Sequence, residues 1–174
     1  MSRPDSRTRE SFEEFVAARR QALLRTAYLM TGDHGHAEDL VQAALVKAWP
    51  RWARIADRPE PYVRRILARE VTDRWRGRRW REVSTGTLPE TTAETRDPTD
   101  REVLRRALLE LSPRQRAVVV LRYFDDLTEQ QTADVLGIGL GTVKSHGREA
   151  MARLRELVPD VTDDDVEALD SVAP

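Results

Sequence analysis

The 174-residue chain contains no cysteine. That single absence removes disulfides, thiolate nucleophiles and cysteine-ligated zinc. No apolar run approaches the roughly 20 residues that a membrane helix needs. The opening residues, MSRPDSRTRE, have no apolar stretch of the kind a signal peptide carries. Only 8 glycines are present, and those at 137, 139 and 141 follow no strand in phosphate-loop spacing. The 3 histidines show no HExxH spacing, so no metal and no cofactor are expected. No nucleophile–base constellation stands out, and the chain does not read as an enzyme. What remains is a globular, cytoplasmic protein with 40% apolar and 34% charged residues.

The net charge of −1 conceals a strong internal asymmetry. From Arg64 to Arg81 there are eight arginines against Glu70 and Asp73. From Asp160 to Asp170 there are five Asp, one Glu and no base. A basic stretch of this density is a candidate phosphate-binding surface. Trp75 and Trp80 lie among the arginines, and a stacking ring beside a cation suits single-stranded bases.

Helical periodicity runs through most of the chain. Ser11 and Glu14 have capping-box spacing, with Phe12, Phe15, Val16, Ala22, Leu23, Ala27 and Met30 on a helical stripe. Gly32 ends that helix and Asp33 can cap the next. Ala37, Leu40, Val41, Ala44, Leu45, Ala48 and Trp49 then share one face, up to Pro50. Pro61 opens a third helix with Tyr62, Val63, Ile66, Leu67 and Val71 inside and the arginines outside; Gly77 should weaken its last turn. STGTLPETTAETRDPTD, residues 84–100, is too polar to bury much and reads as a flexible linker. Beyond it, Val103, Leu104, Ala107, Leu108 and Leu111 mark another helix, and Ser112-Pro113 starts one running to about Phe124.

The most informative segment is Thr128 to Arg155. Thr128 and Gln131 form a second capping-box pattern. A short helix, EQQTADVL, ends at Gly137, and a longer helix starts near Leu140 with Val143, Gly147, Met151 and Leu154 inside. Short helix, tight turn and longer helix make a helix-turn-helix. The first residues of the second helix enter the major groove in such motifs. Here they are Gly141, Thr142, Lys144, Ser145 and Arg148, hydroxyls and cations suited to bases and phosphates.

The string LTEQQTADVLGIGLGTVKSHGREAMARLRE resembles the promoter-reading helix-turn-helix of bacterial sigma factors. AEDLVQAALVKAW resembles their polymerase-binding helix, and RPEPYVRRILAREVTDRWRGRR resembles the part that melts and reads the −10 element. Order and length resemble the extracytoplasmic-function group, and within it the sigma-E-like actinobacterial subgroup. The resemblance implies an all-α chain with two small helical domains joined by a flexible linker. It divides residues into a region 2 domain (12–81), a linker (82–100), a region 4 domain (101–157) and an acidic tail (158–174). It implies that Asp39, Leu40, Val41 and Gln42 meet core RNA polymerase. Arg65, Arg69, Arg74, Trp75 and Arg76 would follow the −10 strand, with the Arg54–Tyr62 connection holding a flipped base. Thr142, Lys144, Ser145 and Arg148 would read the −35 duplex. The implied partners are core polymerase (β′ clamp and β flap), promoter DNA and, as an open question, an anti-sigma protein. The chain departs from the family pattern at Gly139, where Ser is frequent, at Glu149, where Arg is frequent, and at Arg69, near a frequent Asn. Two other readings stand beside this one: a self-sufficient helix-turn-helix regulator, and a helical adaptor that binds protein alone.

Overall fold

The structure, a computed structural model, describes residues 6–85 and 100–159, and leaves the side chains of 75–85 and of 100 and 101 outside that description. The described residues contain helices and no strand. The first half comprises α1 (Ser6–Thr31), α2 (His34–Ala48), a 3₁₀ turn (Trp49–Arg51), α3 (Trp52–Ile55) and α4 (Pro59–Thr85). The second comprises α5 (Asp100–Glu110), α6 (Pro113–Val119) with a π-helical continuation (Val120–Phe124), α7 (Glu129–Leu136) and α8 (Leu140–Leu157).

Helix α1 begins before Ser11, which is therefore not its cap. Ser11 Oγ instead donates to Thr8 O and accepts the indole N–H of Trp52 at 2.8 Å. Phe12 packs edge-on against Trp52 with ring centres 4.8 Å apart and also meets Trp49. Such aromatic pairs contribute about 0.5–1.5 kcal/mol each beyond burial. They fix the bend at Pro50, where the chain tightens into a 3₁₀ turn and continues as α3. Asp33 caps α2 as the sequence predicts, accepting the His36 N–H at 2.7 Å. The apolar stripe of α2 enters the core, with Leu40 and Val41 only 3% and 2% exposed. Helix α4 starts at Pro59 rather than Pro61 and runs through Gly77 to Thr85. It extends past the expected domain end at residue 81, into what reads as linker.

In the second half both predicted caps of α6 and α7 form as full capping boxes, Ser112 with Gln115 and Thr128 with Gln131. Gly137 ends α7 in the left-handed conformation at φ +65°, the conformation that an αL cap requires and glycine adopts without strain. Val118, Ala133 and Val143 form a small core inside the helix-turn-helix, with Leu136 and Ile138 against it. The remaining core is one continuous cluster from Leu23 and Met30 of α1 to Leu154 of α8. The two halves are packed on each other.

Among the described residues, the contacts that join them include the following three. Gly32, at φ +74°, lies so close to Leu109 that a Cβ there would stand 2.7 Å from its Cδ2. Arg116 of α6, 1% exposed, donates to Met30 O at the end of α1 and to Leu108 O, Leu109 O and Leu111 O at the end of α5. Asp125 accepts Thr26 Oγ1 at 2.7 Å and pairs with the Arg64 guanidinium at 2.7 Å.

Glu102 near the start of α5 holds Arg105 and Arg106. The hydrogen bond from Arg105, then that from Arg106, lowers its pKa to about 2, against the opposing effect of burial. A carboxylate whose folded pKa is depressed contributes stability above its unfolded pKa and loses it as pH falls through the folded one. Glu102→Gln should therefore lower Tm at neutral pH, and the gap to the native chain should close as pH falls from 4.5 to about 2. A gap independent of pH in thermal melts would contradict this.

Candidate nucleic-acid interface

Helix α8 is held by its inner face, where Val143, Ala150, Met151 and Leu154 are buried. Ala150 is a core residue that the sequence reading did not select. Gly147 brings α8 close to α6; a Cβ there would lie 3.7 Å from Val118 Cγ1. With about 100° per residue, Gly141, Ser145 and Arg148 fall on the opposite side, flanked by Lys144 and Thr142. Gly141, Thr142, Lys144 and Arg148 are exposed, and Ser145 is half-buried, its Oγ donating to Thr142 O at 3.1 Å. All four expected −35 residues thus share one accessible surface at the N-terminal end of α8. The N–H groups at a helix N-terminus favour an anion. Gly139 caps it without a side-chain bond, and its carbonyl accepts the Thr142 N–H at 2.9 Å. Lys144 faces Glu129 at 3.8 Å, an exposed pair worth little.

Glu149, where the family often has Arg, has a structural partner. Its carboxylate accepts Gln115 Nε2 at 3.1 Å and lies 3.9 Å from His146 Nδ1. It ties α8 to the start of α6 rather than presenting a cation.

On α2, Asp39 and Gln42 are exposed while Leu40 and Val41 lie in the core. The helix period separates the four: only Asp39 and Gln42 offer side chains to a partner. Val46, one turn further, is 68% exposed and extends their stripe.

The expected −10 residues divide. Arg65 and Arg69, four apart, are exposed on one flank of α4. Arg74 lies on another, 4.0 Å from Asp39, because five residues turn the helix by about 140° beyond one full turn. The side chains of Trp75 and Arg76 lie outside the described residues. The Arg54–Tyr62 connection forms one wall of a cleft of about 520 Å³ whose other wall includes Leu127, Gln131 and Asp134. Arg64, absent from the expected set, is the basic residue nearest that cleft with fixed partners, Glu60 and Asp125. Arg116 and Asp125 were also missed. The spacing of Arg116 with Val119 and Val120 on the buried side of α6 is the signal that could have found the first.

Comparison with known proteins identifies the family. Residues 15–81 match the family described as sigma-70 region 2, and residues 101–154 match sigma-70 region 4. The RNA polymerase sigma-E factor of Streptomyces avermitilis is 43% identical over 149 residues, covering 83% of each chain. The ECF RNA polymerase sigma factor SigL of Mycobacterium tuberculosis is 34% identical over 76% of this chain and 80% of that one. Among solved structures, the sigma factor RpoE in complex with the anti-sigma factor NepR from Bartonella quintana is 28% identical. It covers 87% of this chain and 98% of that chain with a TM-score of 0.72. With both region families matched in order, and with relatives over most of its length, the chain belongs to the extracytoplasmic-function group of the sigma-70 family of RNA polymerase sigma factors.

Proposed function

We propose that this sigma factor divides promoter recognition between its halves, as two separately placed surfaces. In the second half Thr142, Lys144, Ser145 and Arg148 enter the major groove of the −35 duplex. In the first, Asp39 and Gln42 meet the β′ clamp helices of core polymerase. Arg65 and Arg69 neutralise the phosphates of the −10 strand, with Arg74, Trp75 and Arg76 further along α4. Leu40 and Val41 support the α2 surface from below. The observation that carries this reading is the accessible end of α8: hydroxyls and cations at a helix N-terminus, on one side of a helix whose other side is core.

The chemistry asked of the chain is positional. Unstacking a base costs a few kcal/mol per step, and cations along the displaced strand offset it. Specificity comes from joining −35 contacts, −10 contacts and polymerase through one chain, so no bond is made or broken by its own side chains. Such a factor works where the chromosome and polymerase are, in the cytoplasm. An anti-sigma protein is a further expected partner.

The double substitution Asp39→Ala, Gln42→Ala tests the division. Capture of core polymerase should weaken by about tenfold or more, on the order of 1–2 kcal/mol for two exposed polar contacts, while binding to isolated −35 duplex stays unchanged. Equal loss of both activities would show that the surfaces are not separate.

A further inference from the structure

One acidic side chain stands among the residues that would meet the −35 duplex. Measured from Ser145 at about 100° per residue, Glu149 lies about 40° round α8, with Thr142 about 60° round on the same side. Arg148 and Lys144 lie about 60° and 100° round the other way, and the buried Val143, Ala150 and Leu154 are opposite. Glu149 is also one turn on from Ser145, the spacing of neighbours on a helix surface. Its side chain is 59% exposed, so the carboxylate shares the solvent-facing surface of the hydroxyls and cations.

The carboxylate is anchored. One oxygen, Oε2, accepts Gln115 Nε2 at 3.1 Å and lies 3.9 Å from His146 Nδ1. Gln115 is itself fixed by the cap of α6. Its Oε1 accepts the Ser112 N–H at 3.2 Å, and its own backbone N–H donates to Ser112 Oγ at 3.3 Å. With the amide oxygen committed to Ser112, the amide nitrogen is turned to Glu149. The second oxygen of Glu149, Oε1, has no protein donor among the described residues. An anchored carboxylate thus keeps one acceptor oxygen for a ligand.

The chemistry of the groove decides what that oxygen can take. Duplex DNA carries one negative charge per about 1.7 Å of axis, so a carboxylate repels any phosphate it approaches. Its gain has to come from a donor on a base edge. The major groove offers two, the amino groups N4 of cytosine and N6 of adenine. Adenine sets the N7 acceptor beside its amino group, which opposes a second acceptor. Cytosine sets only a C–H beside N4. An acidic side chain therefore selects cytosine.

We propose that Glu149 is a specificity-determining residue of the −35 reader, its second oxygen accepting the N4 amino group of one cytosine, with Gln115 as the positioning residue that holds it. The inference rests on the reading of α8 as the helix that enters the −35 major groove. It makes the contribution of Glu149 one of choice more than of strength, because a wrong base leaves a desolvated carboxylate without a donor.

The test uses a promoter that the chain transcribes, randomised across its −35 element and barcoded in the transcribed region. Core polymerase with the full chain then reports base preference through the transcripts. The native chain should favour cytosine at one position. Glu149→Gln keeps the shape and can still accept from Gln115 through its amide oxygen. It should reduce the cytosine preference at that position by about tenfold and favour adenine there, because an amide matches N6 and N7 together. Preferences at the other positions should stay as they are. Gln115→Ala should weaken the same preference at the same position by less; equal loss across all sequences would remove its positioning role. Identical preferences for the native chain and Glu149→Gln would overturn the proposal, even with a uniform change in transcript yield, as would a lost preference for any base but cytosine. In each of those cases Lys144→Ala with Arg148→Ala should still lower transcript yield at limiting chain concentration. If that pair changes nothing, the −35 reading of α8 falls instead.

Discussion

Arg116→Met is expected to lower the unfolding free energy by about 3–5 kcal/mol and the melting temperature by on the order of 10 °C. Methionine retains the apolar stem, so the change isolates the guanidinium. That group donates to carbonyls at the C-terminal ends of two helices, Met30 of α1 and Leu108 and Leu109 of α5, and to Leu111. Helix ends leave carbonyls without intrahelical partners and carry partial negative charge. A buried cation is costly by itself, and burial draws the Arg116 pKa down to about 10. It stays protonated at neutral pH, and its donors offset the penalty. Removing them leaves buried acceptors unpaired, the expensive half of the exchange. Because one partner belongs to α1 and the others to α5 and the residue that follows it, both halves should loosen together. A melting temperature within a degree or two of the native value would show that the carbonyls find other donors.

Lys144→Ala with Arg148→Ala is expected to reduce −35 duplex affinity by about 100-fold, at roughly 1–3 kcal/mol per contact. The dependence of log affinity on log salt should become shallower by about 1–2, since each neutralised phosphate contributes about 0.9 to the slope. Both side chains are exposed and neither is part of the core, so thermal stability should hardly change. The pair of Lys144 with Glu129 is exposed and weak and does not hold the cation back from DNA. Affinity lost with an unaltered salt slope would assign these residues to packing or base contact rather than phosphate. Unaltered affinity would remove them from the interface.

Local rules explain why most of the fold is legible in the sequence. Asp33, Ser112 and Thr128 each satisfy a helix end within three residues of themselves, and the structure has all three bonds. The stripes of α2 and α8 follow from the helical period alone. The helix-turn-helix was legible for the same reason: caps, a left-handed glycine and an apolar face all lie within thirty-odd residues. What escaped depends on partners far away in sequence. Ser11 has the spacing of a cap, yet its oxygen meets the indole of Trp52, 41 residues on. Asp125 lies between the helix expected to end near Phe124 and the cap at Thr128, and its partners are Thr26 and Arg64. Gly77 does not end α4, because one glycine costs a helix only about 1 kcal/mol.

The polymerase-binding expectation shows the same boundary. The string EDLVQ singled out Asp39, Leu40, Val41 and Gln42 together. The 3.6-residue period then buries the middle two and leaves the outer two exposed. On α4 the arginine run read as one basic face, whereas Arg65 and Arg69 stand on one flank and Arg74 leans towards Asp39.

Run-off transcription with core polymerase, with and without this chain, tests the division of labour most directly. Promoter-specific transcripts should appear only when the chain is added and should fall at limiting chain concentration with Asp39→Ala, Gln42→Ala while −35 duplex binding persists. Duplex binding by the chain alone, with no transcript in the presence of core polymerase, would contradict it.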